Sequence, residues 1–150
     1  MTSAHGERGS SMVETAITLA AALLLLFGII EFGRAVYTYH LVDNVARAGA
    51  RWAMVRGSAC PSSTSPARTD CPVTSAQVQT YVQSISPMTN QNNVAVSATW
   101  PDNTGCQTSG KNGPGCLVVV NVSYPFHFAL PFVSTATIPL SSTSQMIISQ

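Results

Sequence analysis

Four cysteines, three histidines and two glutamates set in apolar sequence are the residues of this chain whose types could carry chemistry. Cys60, Cys71, Cys106 and Cys116 contain no Cys-x-x-Cys pair, and His5, His40 and His127 are far apart in sequence. That spacing argues against zinc, and no base stands beside a thiol for nucleophilic work. The thiols suit disulfides instead, because they sit in loops rich in Pro, Ser, Thr, Asn and Gly. Three pairings are possible. Cys60–Cys71 and Cys106–Cys116 are favoured, each closing a loop of about ten residues and adding roughly 2–3 kcal/mol on the chain-entropy model. Disulfides imply an oxidising compartment; the competing reading is free buried thiols in a cytoplasmic protein. His40 falls in a helical pattern and His127 on the polar side of a strand. Neither has an acid or nucleophile near it in sequence, so no enzymatic reaction and no cofactor or metal is expected.

Glu14 and Glu31 pose a different question. They bracket residues 15–30, which carry no charge. As a helix this run covers roughly 24 Å at 1.5 Å per residue. A hydrocarbon core is about 30 Å thick, so the run can span it with local thinning or snorkelling ends. A cleaved signal peptide is the plainer alternative, but no Ala-x-Ala-like site follows; Glu31 and Arg34 come instead. A carboxylate in lipid is costly unless it is paired. At the near end, Ser11-Met-Val-Glu14 also reads as a capping box, a second explanation for the first glutamate. At the far end, Glu31 and Arg34 share a helical face and form either a solvated interfacial pair or a contact with a partner helix. Asp43 and Arg47, at i, i+4, read as a surface pair.

The helical pattern runs on past the apolar segment. Leu41, Val45, Ala48, Trp52 and Val55 recur at steps of four and three, and Gly57 offers a C-cap. One helix from about Ser11 to Arg56 is expected, with bends at Gly28 or Gly33. It divides into a transmembrane part, 10–34, and a soluble continuation, 35–56. Residues 57–150 then form a soluble α+β domain. Thr74 to Gln77 fits a capping box, and Val78, Tyr81, Val82 and Ile85 make one face of a short helix ending before Pro87. From Val94 the period becomes two. Alternation over Val94–Trp100, Val118–Phe128 and Ile138–Ile148 predicts three strands, the last an edge or late-starting strand because of Pro139. Such a sheet needs a cover, and the Leu41–Val55 stripe supplies one, with Ala46, Gly49, Ala50 and Ala53 allowing close approach. The expected fold class is α+β: a long N-terminal helix on a small antiparallel sheet of about three strands.

Composition bounds the partners. Charged residues are 9% of the chain, against roughly 25% in ordinary soluble domains. The net charge is +1, and no basic face points to nucleic acid. Orientation carries a conflict. Arg34, Arg47 and Arg51 outnumber Arg8 and the amino terminus, which alone would hold the C-terminal part in the cytoplasm, whereas the cysteines place it outside. Long domains translocate despite flanking charge, so the cysteines decide for an extracytoplasmic domain.

Gly9 precedes Glu14 by five positions, after a hydrophilic leader (residues 1–9). This resembles a type IV prepilin cleavage site, which implies a membrane-embedded prepilin peptidase cutting between Gly9 and Ser10. Val13-Glu14, then Glu31-Phe32-Gly33-Arg34, then Ala46-Arg47 with Gly49-Ala50-Arg51 together resemble the TadE-like family of the tight-adherence (Flp-type) pilus system. Thr15, and Ala20-Ala21-Ala22 in place of a helix proline, depart from that family's common pattern. The resemblance implies a pilin-like fold and a minor pilin or pilus-assembly pseudopilin. It would be a single-pass protein of the bacterial inner membrane, also present in the fibre. Its partners would be other pilin-like subunits, including a paralogous minor pilin, the prepilin peptidase, an inner-membrane assembly platform and lipid. Glu14, Glu31, Gly33 and Arg34 would serve subunit packing, with Glu14 meeting the new amine of a neighbour. The alternative is an uncleaved, signal-anchored extracytoplasmic binding or adhesion domain.

Overall fold

The computed structural model describes residues 6–60, 71–88, 90–102, 104–106, 112–129 and 137–149. His5 and most of the leader lie outside these residues, as do residues 61–70 and 107–111 of the two cysteine loops. Helix α1 runs Gly6–Met54 without interruption, through Gly28 and Gly33 alike. It starts five residues earlier than the capping pattern predicts, so Ser11 is a helix-interior residue and not an N-cap. Its carbonyl accepts from the Thr15 hydroxyl at 2.8 Å. The capping-box explanation of Glu14 is therefore excluded. The helix also stops two residues short of Arg56, where the Arg56 N–H donates to the Ala53 carbonyl in a tighter turn.

Helix α2, Ser75–Ile85, begins as its sequence predicts. The Gln77 N–H donates to the Thr74 hydroxyl at 3.4 Å, and the Thr74 N–H donates to the Gln77 side chain at 2.8 Å. The two orphan donors of the first turn are thus satisfied reciprocally. Val78 and Val82 are fully buried, and Tyr81 is half-buried.

Strands β1 (Ala95–Thr99), β2 (Leu117–His127) and β3 (Thr137–Ile147) form an antiparallel sheet in the order β1-β2-β3. The chain is α+β, as its periodicities predict. Every second residue of β2, Val118, Val120 and Val122, is buried under the helices, and β3 presents Leu140, Ser142, Ser144 and Met146 on the same side.

Pro139 sits on an edge strand and pairs with Pro125 of the central strand. The Ile148 N–H bonds the Cys116 carbonyl, so hydrogen-bonded pairs fall on even residues of β2. The Pro125–Pro139 pair is consequently of the non-bonded kind, and neither missing N–H is wanted between β2 and β3. On β2 that side faces past the end of β1, whose pairing stops at Ala95 with Ser123. A proline in each strand is tolerated for this geometric reason.

The helix face that meets the sheet is shifted by one residue from the predicted stripe. Val42, Val45, Ala46, Gly49, Ala50 and Ala53 are buried, while Leu41, Ala48, Trp52 and Val55 are only half-buried at its margin. The small side chains decide the shift, because they let backbone approach backbone. A Cβ added at Gly49 would stand 2.6 Å from Val82 Cγ2 and 3.4 Å from Val120 Cγ1. Trp52 instead stacks on Tyr81 at 4.8 Å, with the Arg56 guanidinium 4.2 Å over its other side.

Both favoured disulfides form, Cys60–Cys71 and Cys106–Cys116. The second closes over a tight turn in which the Cys116 N–H donates to the Gly113 carbonyl at 3.0 Å. Pro114 and Gly115 are its central residues, and Gly115 has φ of 83°. That conformation suits glycine at the third position of a type II turn. Gly115 also donates to the Ile148 carbonyl, and the reciprocal bond goes to Cys116, so it forms a glycine bulge at the start of β2.

Candidate functional site

The segment Gly9–Ile30 of α1 is exposed along its whole length, including Ile17, Leu24, Leu25, Phe27 and Ile29. It is long and apolar enough to cross a membrane. In water this surface would be a large uncompensated apolar stripe; in lipid it requires only that polar groups be satisfied. The hydroxyls meet that requirement. Thr15 donates to the Ser11 carbonyl, and Thr18 to the Glu14 and Thr15 carbonyls at 3.1 and 2.9 Å. The backbone satisfies itself through the helix.

Glu14 is the exception. Its side chain is exposed among Met12, Val13 and Ile17, and no described residue donates to its carboxylate or pairs with it. Gly9 and Ser10 lie one turn before it, also exposed and helical. The bond between them lies in a helix end with no packing against the domain, where a helix frays most readily.

Glu31 is the opposite case. Only 7% of it is exposed, although it is one residue past the apolar run. Arg34 pairs with one carboxylate oxygen. The Ala129 N–H donates to the other at 3.4 Å. The Arg34 guanidinium also lies 5.4 Å from the Phe126 ring centre, and Phe126 meets Phe128 edge to face at 5.3 Å. Of the two roles open to Glu31 and Arg34, the structure supplies a third, a clamp between α1 and the end of β2 within one chain. Gly33 is exposed with nothing near its missing Cβ.

Beyond the boundary the polar contacts hold the domain along the helix. Asp43 accepts from Arg47 at 2.8 Å, as predicted, and also from the Ser142 hydroxyl of β3 at 2.9 Å. The Ser149 N–H donates to the Met54 carbonyl at 3.1 Å. Contacts at Glu31, Asp43 and Met54 thus read in order from the middle of α1 to its C-terminal end. The β2–β3 hairpin is thereby laid lengthwise, its connected His127–Thr137 end toward the apolar segment and its open Leu117–Ile147 end toward Met54. The Ser142 and Ala129 contacts were not visible in the sequence. The even parity that puts Ser142 on the helix side of β3 was the one available signal.

Among the described residues no three His, Cys, Asp or Glu side chains converge as metal ligands. His40 is exposed on α1, and His127 Nδ1 lies 3.1 Å from the Thr137 hydroxyl across the hairpin. A cleft of about 220 Å³ opens between α1 and the end of β2, lined by Arg34, Tyr37, Thr38, Met88, Tyr124 and His127.

The model of the TadE-like protein family matches residues 9–51, which is α1 from Gly9 to its sheet-facing arginine segment. The match includes Gly9, Ser10, Glu14, Glu31, Gly33 and Arg34 and none of the sheet. No curated protein and no solved structure shows significant similarity to the chain.

Proposed function

We propose that this chain, TadE-like over residues 9–51, is a minor pilin or pilus-assembly pseudopilin of a tight-adherence system. It works by helix packing with other pilin-like subunits, a paralogous minor pilin among them, and carries out no reaction of its own. A prepilin peptidase cuts between Gly9 and Ser10, leaving a cationic amine four residues before Glu14. The span 10–34 crosses the inner membrane with the disulfide-bearing domain outside, and an assembly platform moves the subunit into the fibre.

One observation carries this reading: in the span 10–34 the Thr15 and Thr18 hydroxyls bond their own helix and Glu31 pairs with Arg34, whereas no described residue pairs with the Glu14 carboxylate. A single chain in lipid leaves that carboxylate uncompensated. A neighbour's new terminus compensates it, and the clamp at Glu31 then fixes how the domain is carried on the packed helix. N-terminal sequencing of membrane-extracted protein tests the processing step. A mature chain beginning at Ser10 supports the proposal, and one that keeps Gly9 contradicts it.

The competing reading is an uncleaved, signal-anchored binding or adhesion domain. Crosslinking from positions in the 10–34 helix separates the two, since only a pilin traps pilin-like neighbours there.

A further inference from the structure

We propose that the His127–Thr137 end of the β2–β3 hairpin, where the two strands are connected, is a second membrane contact, lying on the lipid surface beside the point where α1 leaves it. The inference rests on residues 15–30 being a membrane span.

The hairpin is tied to the helix at the right level. Ala129, two residues past β2, bonds Glu31, and Glu31 follows directly on the last apolar residue of the run. Phe126 lies under Arg34, three residues on. At 1.5 Å rise per residue, these contacts fall within about one helical turn of the hydrocarbon boundary. The order of contacts along α1, Glu31 then Asp43 then Met54, aims this end of the sheet at the bilayer and the other end away.

The composition of that end fits lipid and not bulk water. No Asp, Glu, Lys or Arg occurs after Lys111, so both strands are uncharged. Ile138 is 48% exposed beside Phe126, and Phe32 and Tyr37 on the adjoining turns of α1 are 72% and 65% exposed. Phe128 is half-buried against Phe126 with the remainder open. Aromatic and aliphatic side chains at this depth, beside one cation, Arg34, that is already paired with Glu31 and half-exposed toward the headgroup level, are the composition of an interfacial contact. The effect is to stop the domain from swinging about α1, so that the helix is presented to neighbours in one rotational setting.

The test uses the full chain reconstituted in vesicles of phosphatidylethanolamine and phosphatidylglycerol, with lipids brominated near the glycerol end as quenchers. Ile138→Trp and Thr137→Trp report on the hairpin end, either alone sufficing if the other misfolds. Ile147→Trp, exposed at the opposite end of β3 and roughly 30 Å away by strand rise, is the distant control. Leu24→Trp reports on the span. The proposal expects the emission added at 138 or 137 to be lost to bromolipid, while that at 147 and the native Trp52 and Trp100 signal persist. Quenching at Leu24→Trp with none at 138 and 137 overturns the hairpin contact and leaves the span standing. No quenching at Leu24→Trp overturns both. Equal quenching at 138 and 147 also overturns the proposal, since the domain would then lie on the membrane without preference for this end.

Discussion

The Ala129 backbone N–H donates to the Glu31 carboxylate across 3.4 Å, although the two residues are 98 positions apart in the chain. A charge at the edge of the apolar run is thus used to dock the connected end of a β-hairpin. Two glutamates on one helix consequently do opposite work. Glu31 closes its own chain onto itself, whereas no described residue pairs with Glu14.

Replacing Glu31 separates the two halves of the clamp. Glu31→Gln keeps an acceptor for Ala129 but loses the charge facing Arg34; Glu31→Ala loses both. Arg34 is half-exposed and stays solvated when abandoned. The expected cost is therefore modest, about 1–2 kcal/mol for Glu31→Ala and less for Glu31→Gln. Hydrogen exchange over the end of β2 reads it, with Ala129 exchanging fastest in Glu31→Ala. Identical exchange in all three proteins would show that the contact holds nothing.

Gly49→Ala raises helix propensity by about 1 kcal/mol but places a methyl group against Val82 and Val120 in a closed core. Overpacking of this kind costs about 1–3 kcal/mol, so the net change is destabilising. Thermal unfolding measures it, and Val82→Ala in the same chain should recover part of the loss. A more stable Gly49→Ala would mean that helix and sheet do not approach as closely as described.

At Gly115 the backbone and the neighbour both object to a side chain. Its φ of 83° is left-handed, and an added Cβ would collide with the Gly105 carbonyl oxygen. Gly115→Ala is expected to cost about 1–2 kcal/mol from the dihedral alone, with the collision in addition. Gly115→Asn, which tolerates the dihedral, should recover little because the Cβ remains. Denaturant midpoints compare the three; full recovery by Asn would show that the collision is unimportant.

Reduction should loosen the domain more than the helix. Removing Cys60–Cys71 or Cys106–Cys116 by paired serine substitution is expected to cost roughly 2–3 kcal/mol each. The readout is a lowered unfolding temperature for the β-rich signal with the α1 membrane segment unchanged. An unaltered transition after loss of both bridges would mean that they carry no stability.

Most of the fold was legible before any coordinates, for definable reasons. The three strands appear as period-two runs because one face of each must be apolar, and Thr74–Gln77 announces α2 because its end groups need partners. Loops of about ten residues made the disulfide pairs the entropically natural ones. The misses share a cause. Ala46, Gly49, Ala50 and Ala53 allow the close approach that their size predicts, but Leu41, Ala48, Trp52 and Val55 of the predicted stripe lie at its margin, because a helix lying close on a sheet centres on its small residues. The start of α1 was misplaced because Ser11 and Glu14 mimic a cap that the preceding residues, already helical, do not need. The Glu31–Ala129 and Asp43–Ser142 contacts join residues nearly a hundred positions apart, and no local pattern encodes which strand end meets which helical turn. Of the candidate site, the identity of Glu14 and its spacing from Gly9 were plain in sequence. That no described residue pairs with Glu14, while Glu31 is clamped, required the fold.

The central claim is that Glu14 is compensated by a neighbouring subunit's amine. It is tested most directly by the amount of mature protein recovered in isolated fibres for wild type, Glu14→Asp and Glu14→Ala at equal membrane levels. The account predicts that Glu14→Ala falls by about tenfold or more, the equivalent of about 1.4 kcal/mol of lost pairing, with Glu14→Asp in between. Recovery of Glu14→Ala at the wild-type level would contradict it.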